Sequence, residues 1–317
     1  MSLREITFPS ANDRDEIQAW LHTPLGTPRG IVQIVHGFGE HSRRYRHLTG
    51  ALLDAGYVVA HDDHVGHGKT ALLNATWGDP GDSGYAATIL DERRLHDAVR
   101  AELAQAGYDE KLPFTMFGHS WGSMIAREYA ARYGADLTAL VLCGVAYGMK
   151  GMDTMSRMSG EALAAGRAKE DAVDVANAVF GPMTERYADV RTPNDWIACD
   201  PEVVDDHAAD PLNVMTVGMP NYQFFADFSD LMSAISGPEW AARMPTDLPV
   251  HLIAGDQDPV ANYGEGVYAV ANLLAEAGSR SVSATVYPGW RHEIHNERSI
   301  REEVEAGVVG FLDHHVA

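Results

Sequence analysis

Gly118-His119-Ser120-Trp121-Gly122 lies between Pro113-Phe114-Thr115-Met116-Phe117, a β-prone run, and Ser123 to Tyr133, a run that reads as helix with Met124, Ile125, Ala126, Tyr129 and Ala130. The pentapeptide has the form G-x-S-x-G. Strand, sharp turn and helix in that order predict a nucleophile elbow. Such a turn is too tight for bulky flanking side chains, which accounts for a glycine on either side. The Ser120 hydroxyl is then exposed at the carboxyl edge of a sheet. The N-terminus of the following helix points its N–H groups and dipole at any anion that develops there.

In this arrangement an acid and a base follow the serine along the chain. Leu248 to Gly255 reads as a strand followed by Asp256-Gln257-Asp258-Pro259-Val260. Ser283 to Gly289 reads as another, followed by Trp290-Arg291-His292-Glu293. Both candidate groups thus stand just beyond a strand's carboxyl end, where open α/β sheets bind ligands. The acid is Asp256 or Asp258. The Gly-x-x-Asp spacing from Gly255 favours Asp258, with Asp256 bracing the loop. The base is His292 or His295, with His292 directly after the strand-end turn and His295 expected on the helix that follows. Upstream, the β-branched run Ile31 to Val35 ends in His36-Gly37-Phe38-Gly39, whose glycines let a main-chain N–H face the site. The backbone N–H groups of Phe38 and Trp121 are the expected oxyanion donors, each worth ~3 kcal/mol to a tetrahedral intermediate. His36 and His119 flank the site and are expected to order loops.

Five segments carry a resemblance: His36-Gly37-Phe38-Gly39-Glu40-His41-Ser42 with Arg44-Tyr45, Ala60 to Gly68, Gly118 to Gly122, Gly255 to Val260, and Tyr287 to Glu293. In order and spacing they resemble the α/β-hydrolases of the monoacylglycerol lipase and lysophospholipase type, also called serine aminopeptidase S33-like hydrolases. The resemblance implies a mostly parallel sheet flanked by helices with an inserted helical cap, and His292 at the catalytic position. It also implies a single-chain lipid ester as substrate. Two positions depart from the family pattern. Trp121 replaces a smaller or more flexible side chain and is expected to shorten the pocket. Lys69-Thr70 stands where a serine is common.

The chain of 317 residues suits one large α/β domain with an insertion. Its formal net charge of −21 opposes nucleic acid and anionic membrane partners, both of which require a basic footprint. No stretch approaches the ~18 apolar residues of a membrane span, so no stable membrane insertion is expected. Met1 to Ser10 has no apolar core of signal-peptide length, and there are only two cysteines, Cys143 and Cys199. Together these fit a reduced, cytoplasmic setting.

Strands and helices alternate at both ends of the chain. Glu5–Phe8 and Ile17–His22 form an opening hairpin. Helices are expected at Arg46–Ala55 and Asp91–Ala106, with strands at 56–61, 114–117 and 137–145. Residues 1–145 and 246–317 are thus read as the core. Residues 146–245 show no convincing strand and are too long for a bare loop. They are read as the helical cap. Nine of the twelve methionines fall between Met149 and Met244, and Tyr222 to Phe228 adds aromatics. Most of these pack the segment onto the core, while some line an apolar pocket, since methionine adapts to flexible ligands.

The fifteen histidines raise a metal reading, above all His61-Asp62-Asp63-His64-Val65-Gly66-His67. That stretch occupies a strand-end loop which the resembling family builds without a metal, so neither metal nor cofactor is expected. The expected activity is carboxylic ester hydrolysis by Ser120, His292 and Asp258 through an acyl-enzyme. A peptidase, amidase or acyltransferase on the same groups is the enzymatic alternative. A ligand-binding protein that keeps the fold without catalysis is the other.

Overall fold

A computed structural model describes residues 1–316. Eight strands form one sheet: β1 Ser2–Pro9, β2 Glu16–Thr23, β3 Gly30–Val35, β4 Tyr57–Asp63, β5 Phe114–His119, β6 Ala139–Cys143, β7 Val250–Gly255 and β8 Val282–Tyr287. Their spatial order is β1-β2-β4-β3-β5-β6-β7-β8. β2 runs antiparallel to both its neighbours, β1 and β4, and the remaining neighbours pair in parallel. β3 to β6 are buried along their whole length, as parallel strands covered on both faces must be. Alternation divides their side chains between two cores. Ile31 and Val35 enter one, Val32 and Ile34 the other.

The second core is closed by α1 (Arg46–Asp54) and α12 (Arg301–His315), through Leu48, Leu52, Val304 and Val308. The first lies under α3 (Tyr85–Gln105), α4 (Trp121–Tyr133) and α11 (Glu265–Glu276). A short helix, α2 (Gly68–Asn74), follows β4 and does not stand out in the sequence. Asp63 Oδ2 accepts from the Lys69 N–H at its start, a capping contact made from five residues upstream of the helix's first residue. Helix α3 begins six residues ahead of the expected Asp91, because Ala87, Thr88 and Ile89 are already buried on its inner face. Strand β4 extends past His61 to Asp63, paired there with Gln18 of β2.

Between β6 and β7 the chain forms α5 (Met152–Ala164), α6 (Val173–Phe180), α7 (Pro201–Ala209), α8 (Val214–Val217), α9 (Tyr222–Ala234) and α10 (Pro238–Ala241). The β-pairing in this stretch is one isolated bridge, Asp171 to Asn221. Phe224, Phe225, Phe228 and Leu231 of α9 join the first core. Asn221 caps α9, its side chain accepting the Phe224 N–H. Among the described residues, no helix is long and apolar enough to cross a membrane.

Candidate active site

The elbow forms between β5 and α4. Ser120 has φ 55 and ψ −120, a conformation that costs a non-glycine residue ~1–3 kcal/mol and persists only where its surroundings impose it. They do so here. The Ser120 N–H donates to Cys143 O at 2.9 Å. Its carbonyl accepts from the Ser123 N–H at 2.8 Å and the Ser123 hydroxyl at 2.6 Å. A Cβ at Gly122 would collide with the Val35 carbonyl, and one at Gly118 would lie 2.8 Å from Ala126 Cβ. The glycines are therefore needed for the close approach of α4 to β3 and β5.

His292 Nδ1 donates to Asp258 Oδ2 at 2.9 Å, and both residues are buried. Asp258 Oδ1 accepts from the Val260 N–H at 2.8 Å. Burial pushes the His292 imidazole down. The Asp258 charge and hydrogen bond, with Glu293 and Glu40, outweigh this and hold it above the usual histidine value. Asp256 does not touch His292. It accepts from the Gly289 N–H at 2.6 Å and braces one loop against the other. His295 faces the back of the site, stacked on Tyr45 with ring centroids 4.8 Å apart and Nδ1 3.8 Å from Cys143 Sγ. It lies in a turn and not on a helix, because α12 starts only at Arg301. Glu293 O accepts from the N–H groups of Asn296 and Glu297, and the Glu297 carboxylate accepts from the N–H groups of Cys199 and Asp200, holding the chain in turns until then.

Two histidine contacts fix the loop after β3. His36 Nε2 accepts from the His64 N–H at 3.0 Å, so its proton is on Nδ1, which donates to Gly37 O at 2.8 Å. A peptide unit is planar and trans, so with the Gly37 carbonyl held that way the Phe38 N–H points to the opposite side. A Cβ at Gly37 would lie 3.2 Å from Ser120 Cβ, which measures how closely this loop passes the serine. Among the described residues, neither the Phe38 nor the Trp121 N–H donates to another backbone group outside the regular ladders.

Ser120 and His292 line one cavity of about 30 Å³ with Gly37, Phe38, Phe180 and Trp196. An unbroken run of rings closes it. Trp196 lies 5.2 Å from His292, Phe180 is stacked 6.1 Å from Trp196, and Phe38 is stacked 5.5 Å from Phe180. Trp121 is not in this lining. The first turn of α4 directs its ring away, stacked on His67 at 5.2 Å and edge-on to Phe224 at 5.2 Å, so the expectation that it shortens the pocket fails. Phe180 and Trp196 hold the place assigned to it. Neither stands out in the sequence, since each comes from a segment with no motif.

The histidine-rich stretch after β4 divides. His61 packs against Trp20 and His22, while His67 supports Trp121. His64 Nδ1 faces Asp62 at 3.4 Å and Glu92 of α3 at 3.2 Å, all three buried. Burial and the neighbouring Asp62 push the Glu92 carboxyl up to about 7. Burial alone would push His64 down, but the two carboxylates hold it well above the usual value.

The chain shares 47% identity with a highly thermostable carboxyl esterase from Bacillus coagulans, solved in complex with glycerol, over 100% of both chains with a TM-score of 0.94. It shares 40% with a lipase solved in an open form, over 99% of both chains with a TM-score of 0.90. It shares 28% with the monoacylglycerol lipase of Mycolicibacterium smegmatis, over 92% of this chain and 91% of that protein. The profile of the family described as serine aminopeptidase, S33, matches residues 26–299. That span holds the loop after β3, the elbow, the Asp258 loop and His292, and the chain belongs to this family of α/β-hydrolases.

Proposed function

We propose that the protein hydrolyses carboxylic esters of single-chain lipids, monoacylglycerols or lysophospholipids, through an acyl-enzyme on Ser120. The observation that carries this is the buried 2.9 Å Asp258–His292 bond beside a serine at positive φ in the same cavity. With Nδ1–H committed to Asp258, the His292 Nε2 lone pair is free to take the Ser120 proton. Serine attacks the ester carbonyl, and the oxyanion is held by the N–H groups of Phe38 and Trp121. The intermediate collapses, the C–O bond to the alcohol breaks, and His292 returns its proton to that alcohol. Water repeats the sequence on the acyl-serine and releases the acid. No cofactor enters these steps.

Residues 146–245 act in this reading as a cap on the core formed by residues 1–145 and 246–317. Phe180, Trp196 and Phe228 bring its apolar face over Ser120. The lipase and esterase relatives support an ester, and the cavity supports it over an aminopeptidase substrate. The acids lining it are Glu40 and Glu293, and Arg44 pairs with both, at 3.2 and 2.7 Å. No carboxylate there is left for a substrate ammonium. A cytoplasmic location belongs to the same proposal. The test is a series of p-nitrophenyl esters of graded length, run beside aminoacyl anilides, with fluorophosphonate labelling of the wild type and of Ser120→Ala. Labelling lost with Ser120, and turnover of esters over anilides, are expected. A Ser120→Ala protein with near-native turnover would overturn the mechanism.

A further inference from the structure

The loop after β3 carries a carboxylate that the reaction as drawn does not use. Glu40 is 2% exposed, yet its oxygens meet four donors. Oε1 accepts from the Gly37 N–H at 2.7 Å and from the Tyr45 hydroxyl at 2.6 Å, and His119 Nδ1 stands 3.3 Å away. Oε2 accepts from Arg44 Nε at 3.2 Å. These partners belong to separate pieces of the site. Gly37 is in the oxyanion loop. His119 is the elbow residue before Ser120, and its Nε2 lies 3.4 Å from the backbone oxygen of His292. Arg44 continues to Glu293, the neighbour of His292, at 2.7 Å. One buried side chain therefore reaches all three segments, directly or through one residue.

We propose that Glu40 is the positioning residue that holds the oxyanion loop, the nucleophile elbow and the His292 loop in register. The inference rests on the acyl-enzyme reading above.

Three physical points carry it. First, a buried carboxylate is tolerated only when paired and hydrogen-bonded. Burial pushes Glu40 up, but His119, Arg44 and His295 outweigh it and hold it well below the usual carboxylate range, so it stays ionised. Second, its bond to the Gly37 N–H and the His36 bond to Gly37 O grip this residue from two sides. The direction of the Phe38 N–H depends on that grip. Third, both oxygens are committed within the protein, so although Glu40 borders the cavity it has no strong acceptor to offer a substrate. It acts through the groups it orients, and the transition state should feel its loss more than the bound ester.

The test uses the full chain with Glu40→Ala and Glu40→Gln, p-nitrophenyl butyrate as substrate, and two matched inhibitors. A trifluoromethyl ketone adds to the serine and needs the oxyanion hole, while the isosteric methyl ketone binds largely as a ground state. For Glu40→Ala, kcat should fall by about 10- to 100-fold with KM within about threefold, because a misdirected oxyanion donor costs somewhat less than a deleted one. The trifluoromethyl ketone should weaken at least about tenfold relative to the methyl ketone. Glutamine keeps an acceptor for Gly37 and Tyr45 but loses the ion pair with Arg44, so its kcat should be intermediate. Its kcat/KM profile should also move its acid limb to lower pH, because the Glu40 charge is among those that raise His292. A Glu40→Ala enzyme with unchanged kcat, a loss confined to KM, or equal weakening of both ketones would overturn the proposal. If Glu40→Ala does not fold, the glutamine variant decides by its kcat and pH profile. Fluorophosphonate labelling separates the two readings. Wild type labelled at Ser120 with Glu40 variants indifferent removes the role of Glu40 alone. Wild type unlabelled removes the acyl-enzyme reading itself.

Discussion

Asp258→Asn should reduce kcat/KM by far more than the removal of one charge suggests, because the surrounding hydrogen bonds dictate which way the amide faces. In the wild type, one oxygen takes the His292 Nδ1 proton at 2.9 Å and the other takes the Val260 N–H at 2.8 Å. Asparagine has one acceptor for these two donors. The site is fully buried, so an amide NH2 facing the Val260 N–H leaves a donor unsatisfied, at ~1–3 kcal/mol. The amide oxygen therefore stays on Val260 and its NH2 faces Nδ1. Nδ1 must then accept, and the ring proton moves to Nε2, the nitrogen that should receive the proton of Ser120. Losing the charged hydrogen bond to the imidazolium removes a further ~1.5–3 kcal/mol. Together the two effects predict a fall of about 10²- to 10⁴-fold, with KM little changed. The acid limb of the profile should also move to lower pH. Asp258 is the largest influence raising His292, and burial, which lowers it, remains. Stopped-flow acylation with p-nitrophenyl butyrate from about pH 5 to 9 measures both effects. Asp256→Asn is the control, because among the described residues the Asp256 carboxylate holds the Gly289 N–H and the Gln257 side chain and not His292. An Asp258→Asn enzyme within tenfold of wild type, or an Asp256→Asn enzyme damaged more, would refute this reasoning.

Phe180→Ala removes the ring stacked between Phe38 and Trp196. It should shift the acyl-length optimum to longer esters, each added methylene being worth ~0.8 kcal/mol, about fourfold in kcat/KM, until the pocket fills. An unmoved optimum would exclude Phe180 from the acyl site. His295→Ala should retain most activity where His292→Ala loses nearly all, since His295 packs on Tyr45 and makes no contact with Asp258. The reverse result in a fluorophosphonate assay would reassign the base. The Asp62–His64–Glu92 cluster should make stability fall as pH rises. Glu92 titrates near 4.5 unfolded and about 7 folded, so the native state holds the extra proton between those values and its advantage, at most ~3 kcal/mol, is lost as pH climbs through the folded value. His64, raised when folded, contributes with the same sign, its stability lost above its own folded value. Urea melts of wild type and Glu92→Gln across that window should show a shallower slope for the variant, and parallel slopes would remove Glu92 as the cause.

What the sequence discloses of this site follows from the parallel sheet. β3, β5, β7 and β8 run in one direction, so the loops leaving their carboxyl ends converge whatever their sequence separation. A residue read as directly following a strand is thereby located at the site. That is why Phe38, Ser120, Asp258 and His292 could be assembled from motifs that are each short. Position after a strand does not fix the direction of a side chain. Trp121 follows Ser120 directly, and the start of α4 turns its ring toward His67 and Phe224, away from the cavity. Nor does position reveal contacts to elements without a motif. Phe180 and Trp196 enter from segments whose composition predicts only helix and loop. Helix α3 buries Asp91, Glu92 and His96 on its inner face, which blurs the apolar stripe from which its start would be read. Glu40 combines both difficulties. Its Arg44 contact is local, four residues on, and legible as a pair. Its bonds to Gly37 and Tyr45 depend on how the loop after β3 folds on itself, and its contact with His119 on how that loop meets the elbow. The same topology that gathers the reacting groups leaves their relative orientation to be set by side chains between the loops. A buried carboxylate with four donors is suited to that task, because its bonds are directional and it cannot leave without stranding every one of them.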